Sequence, residues 1–307
     1  MGKVLEKTKI RLAGIKMTII QTLKKYKYPY LFILPFFLLF SVFQLFPMLW
    51  TVVISFSKWK GIGKPKSVGL DNYKLLFKDY MFWDAISNTL IYWVTGVIFI
   101  LLLSIIIAAF LNYNRLKGRS FFKTVTFLPN VCAAIAMGII FSMLFDENVG
   151  LVNEFLGLFG IESIGWLTST KMSKIPVIIL NIWRNTPWFT VIVLSGLLNI
   201  PREYYEAATV DGANVFQQFF RITLPSLYNI LFFCFITLTV DSWKIFNEPF
   251  ILKGPGTSNV SLFQYMYDTG FNLFKMGYAS AIGCMLTFIL LIVSLIQFRI
   301  MRKQDNI

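Results

Sequence analysis

The chain has 307 residues, 56% of them hydrophobic and 14% charged, with a formal net charge of +14. Soluble domains carry roughly 45–50% apolar and about 25% charged residues, so this composition excludes disorder, collagen, a coiled coil and a small disulfide scaffold. Histidine is absent, which removes imidazole chemistry and histidine metal ligation.

The N-terminal stretch, residues 1–29, is basic: Lys3, Lys7, Lys9, Arg11, Lys16, Lys24, Lys25 and Lys27. Leu12, Ile15, Ile19 and Leu23 fall among them at helical spacing, which predicts an amphipathic helix on a membrane surface. The apolar run that follows is too long for a cleaved signal. Residues 30–307 read as one transmembrane domain. Six apolar stretches stand out, at 31–56, 86–111, 121–145, 175–199, 227–252 and 278–300. Each exceeds the roughly 17 residues that a membrane span needs. All are expected to be helices, because lipid offers the backbone no hydrogen-bond partners. The fold class is therefore all-α, a polytopic protein with six spans. Cys132, Cys234 and Cys284 stand singly in apolar runs and read as small core residues.

Orientation follows the lysines and arginines. The short loop after the second span carries Arg115, Lys117, Arg119 and Lys123, and the tail adds Arg299, Arg302 and Lys303. With the basic leader, these place both termini in the cytoplasm. Outer segments carry Asp146, Glu147, Glu154 and Glu162. The basic run over 58–78 lies on the outer side and opposes this pattern. The net charge thus reads as an orientation signal against anionic lipid, not as a nucleic-acid signal.

Between the fourth and fifth spans lies a polar loop, residues 200–225, reading IPREYYEAATVDGANVFQQFFRITLP. Pro201 suits a first helical position. Gly212 can close a short helix in the left-handed conformation, and Asn214 can cap a second one. Phe216, Phe219, Phe220 and Leu224 are expected to bury one face. Glu206 and Asp211 offer charge at the tip. A helix–turn–helix of this kind can transmit force to a soluble partner.

The pattern Glu206-Ala207-Ala208, Asp211-Gly212-Ala213, Ile222 and Leu224-Pro225 resembles the EAA loop of ABC importer permeases. The likeness extends over nearly the whole chain and is greatest to the sugar permeases of the maltose-transport-like, multiple-sugar or raffinose type. It includes Leu34-Pro35, Phe46-Pro47, the stretch from Val68 to Tyr73, Phe82-Trp83, Asn88-Thr89-Leu90, Phe127-Leu128-Pro129 and the stretch from Gly277 to Ala281. Lys253-Gly254-Pro255-Gly256 departs from the family's doubled or tripled glycine. The resemblance implies a type I ABC importer permease fold. It also implies that the loop docks on a separate cytoplasmic ATPase dimer, which binds ATP and Mg. Further implied partners are a second related permease chain and an extracytoplasmic sugar-binding (lipo)protein. The cytoplasmic membrane of a bacterium is the implied location.

The chain carries no phosphate cradle of its own and needs no cofactor: Gly61-Ile62-Gly63-Lys64 ends in Pro65, where GxxxxGK requires Ser or Thr. It is therefore expected to be a non-catalytic subunit. Polar residues in spans default to functional roles. Asn181, Arg184, Asn185 and Trp188 in the fourth span, with Asp241, Ser242, Trp243 and Lys244 in the fifth, are expected to line a substrate pathway. Aromatic faces suit sugar C–H surfaces, while amides and charges suit hydroxyls. Arg184 is expected to neutralise Asp241 inside the bundle. The Asp241 and Lys244 pair leaves a charged sugar, a uronate or a glycerol phosphate, as the alternative cargo. A secondary transporter is the other alternative, but the halves show no convincing inverted repeat.

Overall fold

In the computed structural model of the chain, the described residues are 26–113 and 117–304, without the side chains of 302–304. The amphipathic leader expected over 1–29 thus falls almost wholly outside them, as does Arg115. The chain divides into two units, Met1–Ile54 and Ser55–Ile307.

The first unit holds α1 (Lys27–Phe40), a π-helical turn (Ser41–Leu45) and most of α2 (Phe46–Ser55). Together they form one apolar stretch, Lys27–Ser55, long enough to cross a membrane.

The second unit opens on a two-stranded antiparallel hairpin, β1 (Ser57–Lys58) and β2 (Lys66–Ser67), and the short α3 (Asp71–Lys78). Then come α4 (Tyr80–Asn112), α5 (Arg119–Val131), α6 (Ala134–Leu144), the short α7 (Leu151–Gly157) and α8 (Lys174–Leu198). After α8 follow α9 (Arg202–Val210), α10 (Val215–Gln218), α11 (Tyr228–Trp243), α12 (Asn247–Ile251), α13 (Leu262–Tyr267) and α14 (Met276–Gln304). The segments Tyr80–Asn112, Lys174–Leu198, Tyr228–Ile251 and Met276–Met301 are also long and apolar enough to span.

The third expected span is not one straight helix. It is the pair α5 and α6, bent by 93°. Pro129 lacks the N–H that a continuing helix would use. Cys132 and Ala133 then take extended backbone, with ψ of 140° and 127°. The fifth span also breaks, between Trp243 and Asn247. Of the cysteines, Cys234 is buried, while Cys132 and Cys284 are only partly so.

The core of the second unit is helix on helix. α4 packs along α8, and α11 packs against α4, α8 and α14. Leu111, Phe189, Val193, Leu197, Cys234 and Leu238 make one buried cluster between α4, α8 and α11. The loop after α12 is tied to α4. Asn88 Nδ2 donates to the carbonyls of Thr257 and Val260 at 2.8 and 2.9 Å, and Tyr92 Oη donates to that of Asn259 at 2.7 Å. The altered Lys253-Gly254-Pro255-Gly256 sequence therefore sits in a loop fixed by side chains from the second span.

Candidate functional site: the loop over 200–225 and the two spans it joins

The segment 200–225 folds as a helix–turn–helix. Pro201 stands one residue before the helix, at its N-cap, and α9 begins at Arg202. Gly212 takes φ +79°. The Ala213 N–H reaches the Ala208 carbonyl at 2.8 Å, and the Gly212 N–H reaches that of Thr209 at 3.1 Å. This pair of bonds closes the helix as a Schellman motif, which is why glycine stands there. Asn214 caps α10 by a reciprocal capping box with Gln217, the two bonds at 2.9 and 2.8 Å. Across the turn, Gln218 Nε2 donates to Thr209 Oγ1 at 3.0 Å, and the Tyr205 and Thr223 hydroxyls meet at 2.9 Å. The loop is a small rigid body.

One expectation for this loop is overturned. Phe216 and Phe220 are 78% and 61% exposed. They lie on a helical run that continues from α10 through a π-helical stretch at Phe219–Thr223 to Ser226, and among the described residues nothing covers the face they share. Phe219 and Leu224 are half-buried, while Glu206, Ala207, Asp211, Gly212 and Pro225 are exposed. Ala208, Ala213 and Ile222 are half-buried. The loop therefore exposes Val210, Val215, Phe216 and Phe220 as well as the Glu206 side chain.

Within the spans, three helices converge. A Cβ placed on Gly96 of α4 would lie 3.4 Å from both Asn181 Nδ2 of α8 and Ser242 Oγ of α11. Asn181 and Ser242 are buried, and Ser242 Oγ has no hydrogen-bond partner. Asn185 Nδ2 donates to the side-chain oxygen of Asn181 at 2.7 Å. Asn181, Asn185 and Ser242 are thus brought together by Gly96, which composition and spacing did not single out. Trp188 is 49% exposed. Trp243 is buried against Trp93, ring centroids 6.3 Å apart. Trp93 Nε1 donates to Thr239 Oγ1 at 3.0 Å, and Gln297 Nε2 reaches the same oxygen at 2.7 Å. These join the second, fifth and sixth spans.

Arg184 does not neutralise Asp241. Its Nη1 lies 2.6 Å from Glu248 Oε1. The chain break after Trp243 swings α12 toward α8 and offers a buried carboxylate there instead. Asp241 pairs with Lys244, Nζ to Oδ1 3.8 Å, one turn away on a half-exposed surface. No cluster of three metal-ligating side chains occurs among the described residues.

Residues 100–306 match the family described as binding-protein-dependent transport system inner membrane component. The arabinooligosaccharides transport system permease protein AraP of Bacillus subtilis is 34% identical over 276 residues, covering 89% of this chain and 88% of its own. The lactose transport system permease protein LacF of Rhizobium radiobacter is 33% identical, covering 90% and 94%. The multiple sugar-binding transport system permease protein MsmF of Streptococcus mutans is 33% identical, covering 94% and 99%. Among solved structures, a chain of a bacterial alginate ABC transporter in complex with alginate pentasaccharide-bound periplasmic protein superposes with a TM-score of 0.82. Its identity is 24%, over 92% of this chain and 96% of that one, so the likeness is one of fold.

Proposed function

The chain belongs to the binding-protein-dependent transport system inner membrane components, a family of non-catalytic multi-pass membrane proteins, and we propose from that premise how this member works. It is the permease subunit of an ABC importer for a sugar or oligosaccharide in a bacterial cytoplasmic membrane. Relatives named for arabinooligosaccharides, lactose and multiple sugars support that cargo class. A second permease chain completes the pore, an ATPase dimer binds ATP and Mg below, and an extracytoplasmic binding protein delivers the sugar. Both termini and the 200–225 loop face the cytoplasm.

One observation carries the coupling role. The loop is closed by its own hydrogen bonds, yet it leaves Val210, Val215, Phe216 and Phe220 bare, with Glu206 exposed on the same loop. Exposed apolar side chains on a rigid knob mark a docking surface. Closure of the ATPases would draw this knob and turn the cavity from one side to the other. The charges near the pathway cancel in pairs, Arg184 with Glu248 and Lys244 with Asp241, which favours an uncharged saccharide. Asn181, Asn185 and Ser242 are the hydroxyl partners this reading assigns, with Trp188 as the aromatic face.

The test is ATP-driven uptake in proteoliposomes. Glu206→Lys puts the wrong charge on the tip. Gly212→Pro forces φ near −65°, against the +79° the turn requires. Each should abolish uptake and leave membrane insertion intact. Normal uptake by either variant, or purification in mild detergent with no ATPase attached, would refute the coupling role.

A further inference from the structure

The basic run over 58–78 opposes the charge rule that orients the rest of the chain. Lysines on the outer side work against the preferred insertion, so their presence asks for a use. The fold gathers them. Lys58, Trp59 and Lys60 of the hairpin, Lys78 at the end of α3, and Phe274 and Lys275 ahead of α14 line one cleft of about 890 Å³. Following the helices in order, the cleft lies where α4 and α14 begin, and the 200–225 loop joins spans at their opposite ends. The two features therefore face opposite sides of the membrane.

The cleft has a fixed wall. Asn72 Nδ2 donates to the carbonyls of Ser55 and Ser57 at 2.8 and 3.0 Å. The Gly277 N–H donates to the Trp59 carbonyl at 3.2 Å. Its acids are already engaged. Asp79 caps α4 through the Met81 N–H at 3.0 Å, and its second oxygen takes the hydroxyls of Tyr265 and Tyr278. Asp71 pairs with Lys74 at 3.4 Å. Lys58, Lys60, Lys78 and Lys275 are exposed, and among the described residues none of the four makes an ion pair. Beside them, Phe274 is 60% exposed and holds a left-handed φ of 54°. Unpaired cations around an exposed ring on a fixed wall are the makings of a protein docking site.

We infer that this cleft receives an acidic surface of the extracytoplasmic binding protein. The inference rests on the proposed function, which requires such a partner. Four uncompensated lysines complement carboxylates, and the aromatic residues supply the desolvated contact. Long-range attraction then speeds encounter and makes it sensitive to salt.

The experiment uses the assembled transporter in phosphatidylcholine vesicles, titrated with its binding protein. The readout is the concentration giving half-maximal uptake, at low and at high salt. The variant carrying Lys58→Glu, Lys60→Glu, Lys78→Glu and Lys275→Glu should raise that concentration about 10-fold at low salt and flatten its salt dependence, as rim charges do. The maximal rate should remain. The milder variant Lys78→Gln with Lys275→Gln should move the same way by about 3-fold, which covers a folding failure of the first. An unchanged half-saturation in both variants, with the complex assembled, overturns the inference and leaves the proposed function standing. A shift that appears only when anionic lipid is added assigns the lysines to lipid and overturns it too. Wild-type uptake indifferent to the binding protein refutes both readings.

Discussion

Replacing Glu248 by leucine tests the placement of charge inside the bundle. Arg184 Nη1 lies 2.6 Å from Glu248 Oε1, with the side chains 24% and 5% exposed. Arg184 Nε is buried with no partner, so the carboxylate is its main compensation. Removing one member of a buried pair typically costs about 3–5 kcal/mol, because an uncompensated charge is left behind. Arg184 keeps some exposure, so Glu248→Leu should cost about 3 kcal/mol. Arg184→Met should cost a similar amount. The double variant, which removes both charges, should lie within about 1 kcal/mol of the wild type, since apolar replacement of an ion pair is near neutral. Reversible unfolding by SDS in mixed micelles, followed by tryptophan fluorescence, measures all three. The cycle should then show strong coupling. Additive single costs, or a Glu248→Leu penalty below about 0.5 kcal/mol, would mean that the pair is not the buried bridge described.

Gly277→Ala should detach the β1–β2 hairpin. A Cβ there would sit 1.8 Å from the Ser57 carbonyl oxygen, a clash with backbone that costs about 2 kcal/mol or more. Hydrogen exchange should show lost protection over 57–67 with the spans unchanged, and retained protection would count against the contact. Asp146 accepts the Asn148 and Val149 N–H groups at 2.9 and 3.1 Å, and these bonds hold its carboxyl below the ordinary value of 3.8. A depressed folded value stabilises the turn above the unfolded value, and that contribution is lost as pH falls through the folded one. Asp146→Asn should therefore speed exchange of those two amides at neutral pH, and the difference from wild type should close in acid below 3.8. A gap that persists in acid would place the effect elsewhere.

Much of this was legible in the chain because it is local. Apolar runs longer than the membrane is thick announce spans. An Asp-Gly pair followed by Asn announces a left-handed stop and a new cap, and Gly212 and Asn214 stand so. What was not legible depends on distant partners. Arg184 meets Glu248 across 64 positions, and only the break after Trp243 puts that carboxylate within reach. Pro129 is visible as a breaker, but the 93° bend falls after Val131, where Cys132 and Ala133 turn extended. Gly96 carries no chemistry of its own. Its use is the space it leaves between Asn181 and Ser242, which exists only once three helices are packed. Phe216 and Phe220 looked like core because periodicity reports which side chains share a face, not whether anything covers it.

On the proposed reading, the same contacts would let the loop act at a distance. Near the loop, α8 and α11 touch so closely that a Cβ on Gly196 would lie 2.3 Å from Ile230 and 2.8 Å from Leu227. The loop itself is cross-tied by Tyr205 and Thr223. A displacement of the loop would thus carry both helices together. Farther along they part company. α11 ends at Trp243, and α12 is packed on α6 and α8 and bound to α8 by the Arg184–Glu248 bridge. If the helices move relative to one another, the short link from Lys244 to Phe246, which adjoins Asp241 and Ser242, is where that motion would be absorbed. On the proposed reading, this is where loop movement becomes opening of the sugar path. Glu248→Leu, which frees α12 from α8, should then lower uptake even at temperatures where the variant remains folded. Uptake equal to wild type in the folded variant would leave the bridge as a source of stability alone and move the hinge to another part of the bundle.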